Sequence, residues 1–231
     1  MNAMDVVILC GGKGTRLQSV VSDRPKPMAQ LNNKPFLQLL VEYAAGFGFK
    51  RFILCAGYMG EIIEKHFSGA FPGLEIAVSR ETEALDTAGA VKNAEALLRT
   101  SPFLVMNGDS ICRLDLRGFV DFHYQKKAKA SLAVVKVADA GSFGAITMDA
   151  AGRILSFGEK AAAGAGYVNA GIYLLDKTAL AEVPQGAKYS LERDLLPALI
   201  SGGEVYGYET GSRFYDIGTP EGYREAGEKL K

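Results

Sequence analysis

Leu9-Cys-Gly-Gly-Lys-Gly-Thr-Arg-Leu17, followed by Pro25-Lys-Pro-Met28, is the stretch of this chain that decides its fold. The apolar residues 6–10 predict a buried strand, and three glycines within four positions leave backbone N–H groups open to an anion. Arg16 adds a planar set of donors, and Lys26 stands between two prolines that restrict its backbone. Together the two segments predict a site that holds a triphosphate.

Two common motifs of glycine-rich loops are absent from this stretch. The dinucleotide-binding pattern G-x-G-x-x-G needs a third glycine where Leu17 stands. A P-loop needs Ser or Thr after Gly-Lys, and the chain has Gly14 there. One alternative stays open, in which the glycines only form a tight turn between a strand and a helix. The lysine between two prolines favours the phosphate-binding interpretation.

Strand-like apolar segments recur along the chain, and helical patterns separate the early ones. The predicted strands span residues 6–10, 51–56, 74–79, 103–106, 130–137, 144–148, 154–159, 167–175 and 204–208. The predicted helices span residues 36–47, 60–67 and 87–99. This alternation predicts an α/β fold, a three-layer αβα sandwich around a Rossmann-like, mixed, mostly parallel sheet. Ligands are expected at the carboxyl ends of the strands.

Composition narrows the class of protein. Basic and acidic residues number 26 each, and this zero formal charge argues against nucleic acid or an anionic membrane as the main partner. No apolar stretch approaches the roughly 20 residues of a membrane span, and no signal-peptide pattern precedes the first strand, so the cytoplasm is the expected location. Cys10, Cys55 and Cys112 are expected to be buried free thiols.

Two carboxylates follow short apolar runs. Asp109 ends Asn107-Gly-Asp109, directly after a predicted strand, and Asp216 lies far along the chain in a similar setting. Mg²⁺ is commonly held by one or two carboxylates together with substrate phosphates. The pair therefore predicts a magnesium site, although Asn-Gly-Asp also suits a plain turn.

A planar base would fit against the segment 81–90. Asp86 or Thr87 can cap the helix that starts here, while Gly89 leaves room for close approach. Glu81 offers an acceptor for the ring N–H and exocyclic amine of guanine, which uracil and thymine do not present together. The alternative is that Glu81 is an exposed surface charge.

Residues 157–160 and 169–173 have the chemistry of a sugar-phosphate pocket. Glu159 is an acceptor for a sugar diol, Lys160 a cation for a phosphate, and Asn169 both donor and acceptor for hydroxyls. Gly171 lets the chain pass close to a ligand. Glu-Lys is also a common surface pair, so these residues alone carry little specificity.

The quoted motifs resemble the signature of the sugar-1-phosphate nucleotidylyltransferases. The string from Gly14 to Ala29, with Lys34-Pro-Phe-Leu37, is similar to the guanylyltransferase branch that acts on D-glycero-α-D-manno-heptose 1-phosphate, and the likeness extends to Asp216-Ile-Gly-Thr-Pro220. The resemblance implies transfer of GMP from GTP to a manno-configured sugar 1-phosphate. The alternatives are a mannose-1-phosphate guanylyltransferase, an amino-sugar 1-phosphate uridylyltransferase, or a non-catalytic regulatory module that binds nucleotide sugars.

The resemblance also implies residue roles. Arg16, Lys26 and Asp109 are expected to be catalytic, and Asp109 and Asp216 to hold Mg²⁺. The residues expected to bind nucleotide are Leu9, Gly11, Gly12, Gly14, Thr15, Arg16, Glu81, Thr87, Gly89, Asn107 and Gly108. Those expected to bind the sugar phosphate are Gly144, Glu159, Lys160, Asn169 and Gly171. In relatives the residue at the position of Asp86 is usually Gly, so the base contacts of this chain are expected to differ.

These roles divide the chain into two parts of one expected domain, residues 1–231. Residues 1–130 are predicted to bind the nucleotide and residues 131–231 the sugar phosphate, without a linker between them. GTP and a sugar 1-phosphate are the expected partners. Assembly into a homo-oligomer stays open.

Overall fold

The computed structural model describes residues 4–69, 71–138, 140, 145–158 and 164–230. The strands are β1 (Asp5–Leu9), β2 (Gln30–Leu31), β3 (Lys34–Pro35), β4 (Arg51–Ala56), β5 (Glu75–Arg80), β6 (Phe103–Asn107), β7 (Ser110–Cys112), β8 (Ala130–Val137), β9 (Ala145–Met148), β10 (Ile154–Phe157), β11 (Gly166–Leu175), β12 (Val205–Thr210) and β13 (Phe214–Asp216). The α-helices are α1 (Phe36–Gly46), α2 (Gly60–Phe67), α3 (Asp86–Asn93), α4 (Leu116–Lys126), α5 (Leu196–Ser201) and α6 (Pro220–Lys229).

Nine of these strands form one twisted sheet. Its parallel part has β1 between β4 and β6, with β5 beyond β4. Strand β11 runs antiparallel to β6 and also pairs with β8 and β9, and β12 lies parallel to β8. The sheet therefore continues through both parts of the chain that the sequence distinguishes, and its first strands end at one common edge.

Alternating side chains of β1 divide the interior into two cores. Val6 and Ile8 belong to the core that contains the buried faces of α1, α2, α4 and α6. Val7 belongs to the core under α3 and α5. Because successive side chains of a strand point to opposite faces, apolar residues on both faces require cover on both. The three-layer αβα fold predicted from the sequence is confirmed.

The predicted elements occur in the structure with small differences at their ends, but several further elements were not predicted. The predicted helix 87–99 is too long, since α3 ends at Asn93 and a separate 3₁₀ turn spans Glu95–Leu97. Helices α4, α5 and α6, and the β2–β3 and β7–β13 pairs, were not predicted. The three cysteines are buried free thiols, as expected. Among the described helices, none is both long and apolar enough to cross a membrane.

A buried carboxylate fixes the start of β1. The Asp5 side chain is fully buried, and its Oδ1 accepts a hydrogen bond from the Arg51 guanidinium of β4 at 2.7 Å. Its Oδ2 accepts from the backbone N–H groups of Arg99 at 2.5 Å and Thr100 at 3.0 Å. A buried charge with this set of donors is stable only while all of them stay in place. Asp5 thus joins β1, β4 and the segment before β6.

We expect Asp5→Ala to lower the free energy of unfolding by about 3 kcal/mol, because it leaves Nη1 of the buried Arg51 and two backbone N–H groups without acceptors, while Nε of Arg51 keeps Glu75. Urea unfolding measures the change. Arg99→Ala is the matched control: it keeps the Arg99 N–H donor and removes only an exposed contact with Glu75, so a much smaller decrease is expected. Equal decreases for the two variants would contradict this role of Asp5.

Candidate active site

A cleft of about 450 Å³ opens where the parallel strands β1 and β6 end. This is the edge at which open α/β sheets bind ligands. It brings together the following predicted site residues: Leu9, Gly11, Gly12, Gly14, Thr15, Arg16, Lys26, Glu81, Thr87, Asn107 and Asp109. The glycine loop, the proline-flanked lysine and one of the two aspartates therefore face the same space.

Close contacts in the glycine loop leave no room for side chains at Gly11 and Gly14. Gly14 has a φ of +59°, and a Cβ there would lie 2.6 Å from the Cβ of Lys26. A Cβ on Gly11 would lie 2.5 Å from Oε1 of Glu81. The 3₁₀ turn Thr15–Leu17 follows at once, and its Leu17 is buried while Arg16 is exposed. The loop thus approaches both Lys26 and Glu81 with bare backbone.

Lys26 is the buried cation of the cleft. It begins the 3₁₀ turn Lys26–Met28 after Pro25, whose extended backbone directs the chain into the turn. The Lys26 side chain is only 8% exposed. Its Nζ lies 2.7 Å from Oδ2 of Asp109 and 3.8 Å from Oδ1 of Asp216. One positive charge therefore contacts both predicted metal-binding carboxylates.

The two carboxylates meet because a short antiparallel ladder joins distant parts of the chain. Strand β13 pairs with β7, which places Asp216 opposite Ser110, and the Ile217 N–H donates to the Asp109 carbonyl at 2.9 Å. The Gly218 N–H donates to Oδ1 of Asp216 at 2.6 Å. Burial, together with the nearby Asp109 charge, raises the pKa of Asp216, although Lys26 opposes the shift. The two acids thus form one electrostatically coupled group.

The opposite wall of the cleft contains the start of α3. Glu81 is about half-buried, its Oε2 accepts from the Leu85 N–H at 3.2 Å, and burial raises its pKa. Glu81 is therefore a directed group of the cleft and not a freely exposed charge. Asp86 adopts a left-handed backbone with a φ of +61°, and its carboxylate pairs with Arg193. The left-handed backbone explains why glycine suits this position in the family that the sequence resembles.

Some predicted site residues lie elsewhere. Gly89 and Gly108 do not line the cleft: a Cβ on Gly89 would lie 2.5 Å from the Ala187 carbonyl oxygen, and one on Gly108 2.5 Å from the Leu9 carbonyl oxygen. Both glycines approach protein backbone closely, and their assignment to nucleotide binding stays a prediction. The predicted residues Gly144, Glu159 and Lys160 lie outside the described residues.

Asn169 and Gly171 form a β-bulge on β11 behind the cleft. The pairing of β11 with β8 shifts register between Asn169 and Tyr173, and Gly171 has a φ of +72°. A Cβ on Gly171 would lie 2.7 Å from Oγ of Ser110 and 2.9 Å from Nδ2 of Asn107. The bulge therefore packs directly against the cleft residue Asn107.

Sequence reasoning missed several residues of the cleft. Lys188 lines it without an ion-pair partner among the described residues, and Cys10, Pro27, Ala84, Ala90 and Gly218 complete its walls. Gly218 lies two residues from Asp216, so its place follows from that of the aspartate. No local sequence pattern marks Lys188 as a site residue, since a lysine after Gly186-Ala187 in a loop is common on protein surfaces.

The arrangement suits a highly anionic ligand. Arg16, Lys26 and Lys188 supply positive charge, and the glycine loop supplies open backbone N–H groups. Within the described ranges no cluster of three or more His, Cys, Asp or Glu side chains is able to hold a metal by itself. Asp109 and Asp216 both contact the Lys26 ammonium, and Mg²⁺ is commonly held by one or two carboxylates together with phosphate and water.

Comparison with known proteins identifies chains that share this architecture. Residues 5–231 match the model of the nucleotidyl transferase family. The chain is 36% identical over 229 residues to D-glycero-alpha-D-manno-heptose 1-phosphate guanylyltransferase of Aneurinibacillus thermoaerophilus, covering 99% of each chain. It is also 36% identical over 224 residues to mannose-1-phosphate guanylyltransferase of Mycobacterium tuberculosis, covering 95% of this chain and 62% of that protein.

A solved structure is similar over the whole length. HddC from Yersinia pseudotuberculosis, crystallised in complex with GMP-PN, superposes with a TM-score of 0.87 at 37% identity. The match covers 99% of this chain and all of that one. At this identity and coverage, the two chains share one fold from end to end.

We expect Gly14→Ala to lower the free energy of unfolding by about 2 kcal/mol, because the new Cβ meets both a left-handed backbone and the Lys26 side chain. Gly12→Ala is the matched control in the same loop. A Cβ on Gly12 has no heavy atom within 4 Å and no left-handed backbone, so its change is expected to stay within about 0.5 kcal/mol. Thermal or urea unfolding of both variants measures this, and a tolerated Gly14→Ala would be inconsistent with the described loop.

Proposed function

The chain belongs to the nucleotidyl transferase family, and we propose that it transfers GMP from GTP to a manno-configured sugar 1-phosphate, releasing pyrophosphate. We infer that the acceptor is D-glycero-α-D-manno-heptose 1-phosphate, the substrate in the name of the Aneurinibacillus relative. The observation that carries the proposal is Lys26, buried between Asp109 and Asp216 and packed against Gly14 of the loop. A protein that only bound nucleotide would not need this coupled group.

The proposed reaction is mainly an electrostatic problem. A phosphate oxygen of the sugar 1-phosphate attacks the α-phosphorus of GTP in line, and pyrophosphate leaves. The nucleophile is ionised near neutral pH, so no general base is required. Two highly anionic reactants must still be brought together while charge grows on the leaving group, and fixed cations and N–H donors lower that barrier.

The cleft residues divide this work by position. We propose that the backbone of Gly11, Gly12 and Gly14 holds the β- and γ-phosphates together with Arg16, which is exposed on the following turn. Lys26 bridges the α-phosphate and the incoming phosphate. Its burial favours this role, since a charge in a less polar surrounding acts more strongly on a nearby phosphate.

Asp109 and Asp216 fit a divalent cation. Both side chains already contact a single positive charge, and both stay partly exposed, at 43% and 36%, to further ligands. We propose that they hold Mg²⁺, which in such sites neutralises charge on the reacting phosphates. Lys26 stays close to both carboxylates, and its positive charge offsets the repulsion between them.

Glu81 supports the choice of guanine. A carboxylate accepts two hydrogen bonds, and guanine offers a ring N–H beside an exocyclic amine, whereas uracil and thymine offer only a ring N–H. Oε2 of Glu81 is already bound to the Leu85 N–H, which orients the carboxylate, while Oε1 lies where Gly11 has no side chain. We propose that the base binds between this carboxylate and the start of α3.

The sugar phosphate is assigned to the second part of the chain. We propose that Asn169 and Gly171 on the β11 bulge contribute to its pocket, together with Gly144, Glu159 and Lys160 of the neighbouring segments. The packing of the bulge against Asn107 supports this assignment, since Asn107 lines the cleft. Residues 1–130 then bind the nucleotide and residues 131–231 the sugar phosphate.

A substrate panel tests the proposal. Pyrophosphate release is measured with GTP, UTP, dTTP, CTP and ATP, each with the heptose 1-phosphate or mannose 1-phosphate, and with Mg²⁺ or EDTA. We expect Mg²⁺-dependent turnover with GTP, and higher kcat/KM for the heptose than for mannose 1-phosphate. Preference for UTP would overturn the choice of base, and preference for mannose 1-phosphate would favour the activity in the name of the Mycobacterium relative.

We expect Lys26→Met to lower kcat about 100- to 1000-fold, because it keeps the length of the buried stem but removes the charge that acts on the α-phosphate. Lys34→Ala is the matched control, since its ammonium contacts Glu42 at 2.9 Å on the surface and does not line the cleft. Unfolding curves verify that both variants fold. Turnover of Lys26→Met within fivefold of the original protein would remove Lys26 from the mechanism.

A further inference from the structure

The Tyr173 hydroxyl is the centre of a buried polar network behind the cleft. The side chain is fully buried, and its O–H donates to Oε1 of Glu192 at 2.6 Å. Nδ2 of Asn169 donates to the Tyr173 oxygen at 2.6 Å. One phenol therefore connects a carboxylate with the amide of the β11 bulge, which packs against the cleft residue Asn107.

The Glu192 carboxylate determines the direction of these hydrogen bonds. An ionised carboxylate only accepts, so Tyr173 must donate to it and offers its own lone pairs to the Asn169 amide. Burial, reinforced by the charge of Glu192, raises the pKa of Tyr173 far above its usual value, so the phenol keeps its proton. The Asn169 amide consequently turns its NH₂ group toward Tyr173.

The orientation of the Asn169 amide follows. Its Nδ2 donates to Tyr173 and its Oδ1 accepts from the Gly171 N–H at 2.9 Å, so the two ends of this amide have different and fixed partners. The bulge that carries Asn169 packs against the cleft residue Asn107, since a Cβ on Gly171 would lie 2.9 Å from Nδ2 of Asn107.

Glu192 is itself held by hydrogen bonds to the start of α3, on the side of the cleft proposed to bind the base. Its Oε2 accepts from the hydroxyls of Thr87 and Ser190, each at 3.1 Å. The Leu191 N–H in turn donates to Oγ1 of Thr87 at 2.7 Å. In the described part of the chain no Lys, Arg or His pairs with this carboxylate, and the adjacent Arg193 pairs with Asp86 instead. Glu192 is thus held by neutral hydroxyls between the start of α3 and strand β11.

We propose that Tyr173 and Glu192 are positioning residues for the sugar 1-phosphate, which orient the Asn169 amide so that its remaining N–H and lone pair meet the sugar hydroxyls. This inference rests on the proposed function. Neither residue lines the described cleft, so both act through the Asn169 amide and not by contact with the reacting atoms. The series of hydrogen bonds from Thr87 through Glu192 and Tyr173 to Asn169 also links the proposed nucleotide side to the proposed sugar side.

Steady-state kinetics of Tyr173→Phe test the proposal. The variant keeps the buried ring but removes the group that orients the Asn169 amide. We expect KM for the heptose 1-phosphate to rise about five- to tenfold, while kcat at saturation changes less than threefold. Tyr43→Phe is the matched control, because it also loses a buried hydroxyl bond, to the Leu114 carbonyl at 2.6 Å, but away from the cleft. Its KM is expected to be unchanged.

Glu192 variants separate positioning from simple packing. Glu192→Gln retains an acceptor for Tyr173 if its NH₂ turns to Thr87, whose oxygen is able to accept, whereas Glu192→Ala has none. We expect Glu192→Ala to raise KM as Tyr173→Phe does, and Glu192→Gln to stay within threefold of the original protein. Equal KM values for Tyr173→Phe and the original protein, or equal effects of the two Glu192 variants, would overturn the proposal.

A measurement without turnover separates this inference from the proposed function. The Asn169 side-chain amide protons are observed by ¹⁵N NMR and assigned by their loss in Asn169→Asp. We expect one of them to be protected from exchange in the original protein and to lose that protection in Tyr173→Phe. Unchanged protection would refute the positioning role, whereas failure of the original protein in the substrate panel would refute the proposed function instead.

Discussion

The juxtaposition of Lys26 with Asp109 and Asp216 is the constraint on which the site depends. Two carboxylates brought this close repel one another, and the burial of Asp216 adds a cost that raises its pKa. A buried ammonium 2.7 Å from one and 3.8 Å from the other offsets that cost. The fold must therefore deliver all three side chains, from three separate segments, to the same point.

A different local feature of the structure positions each of the three side chains. Lys26 depends on Pro25 and on the missing side chain of Gly14, which lets the lysine stem pass. Asp109 lies two residues after the end of β6, so its position follows from that of a central strand. Asp216 depends on the three-residue ladder between β13 and β7, with the Ile217 N–H bound to the Asp109 carbonyl. This ladder has only three residues in each strand, yet it completes the group of Lys26, Asp109 and Asp216.

Sequence predicted the parts of the structure whose cause is local. The alternation of apolar residues in β1, with Val6 and Val7 in different cores, is enough to require layers on both faces. Helix α4 was missed although Leu116, Phe119 and Val120 have helical spacing, because its fourth buried position is His123, which reads as polar. Helix α6 buries little besides Ala226, so its only signal is the Thr-Pro start, with Thr219 as the cap.

The remaining site could not be predicted because its causes are not local. The glycine of segment 81–90 that seemed free to meet a base, Gly89, instead meets the Ala187 carbonyl, a contact between segments almost 100 residues apart. Lys188 carries no pattern of its own and reaches the cleft only because the neighbouring Tyr189 exchanges backbone hydrogen bonds with Leu85 and Gly89. Spacing alone does not reveal such pairings.

The backbone hydrogen bonds of Tyr189 with Leu85 and Gly89 also help to connect the start of α3 with the β11 bulge. The residues after Lys188 continue into the π-helical turn Leu191–Leu195, whose Glu192 binds Thr87 on one side and Tyr173 on the other. Such turns are rare and occur often at functional sites. The Glu192 carboxylate accepts from three hydroxyls, so hydrogen bonds of defined direction connect the start of α3 with the β11 bulge.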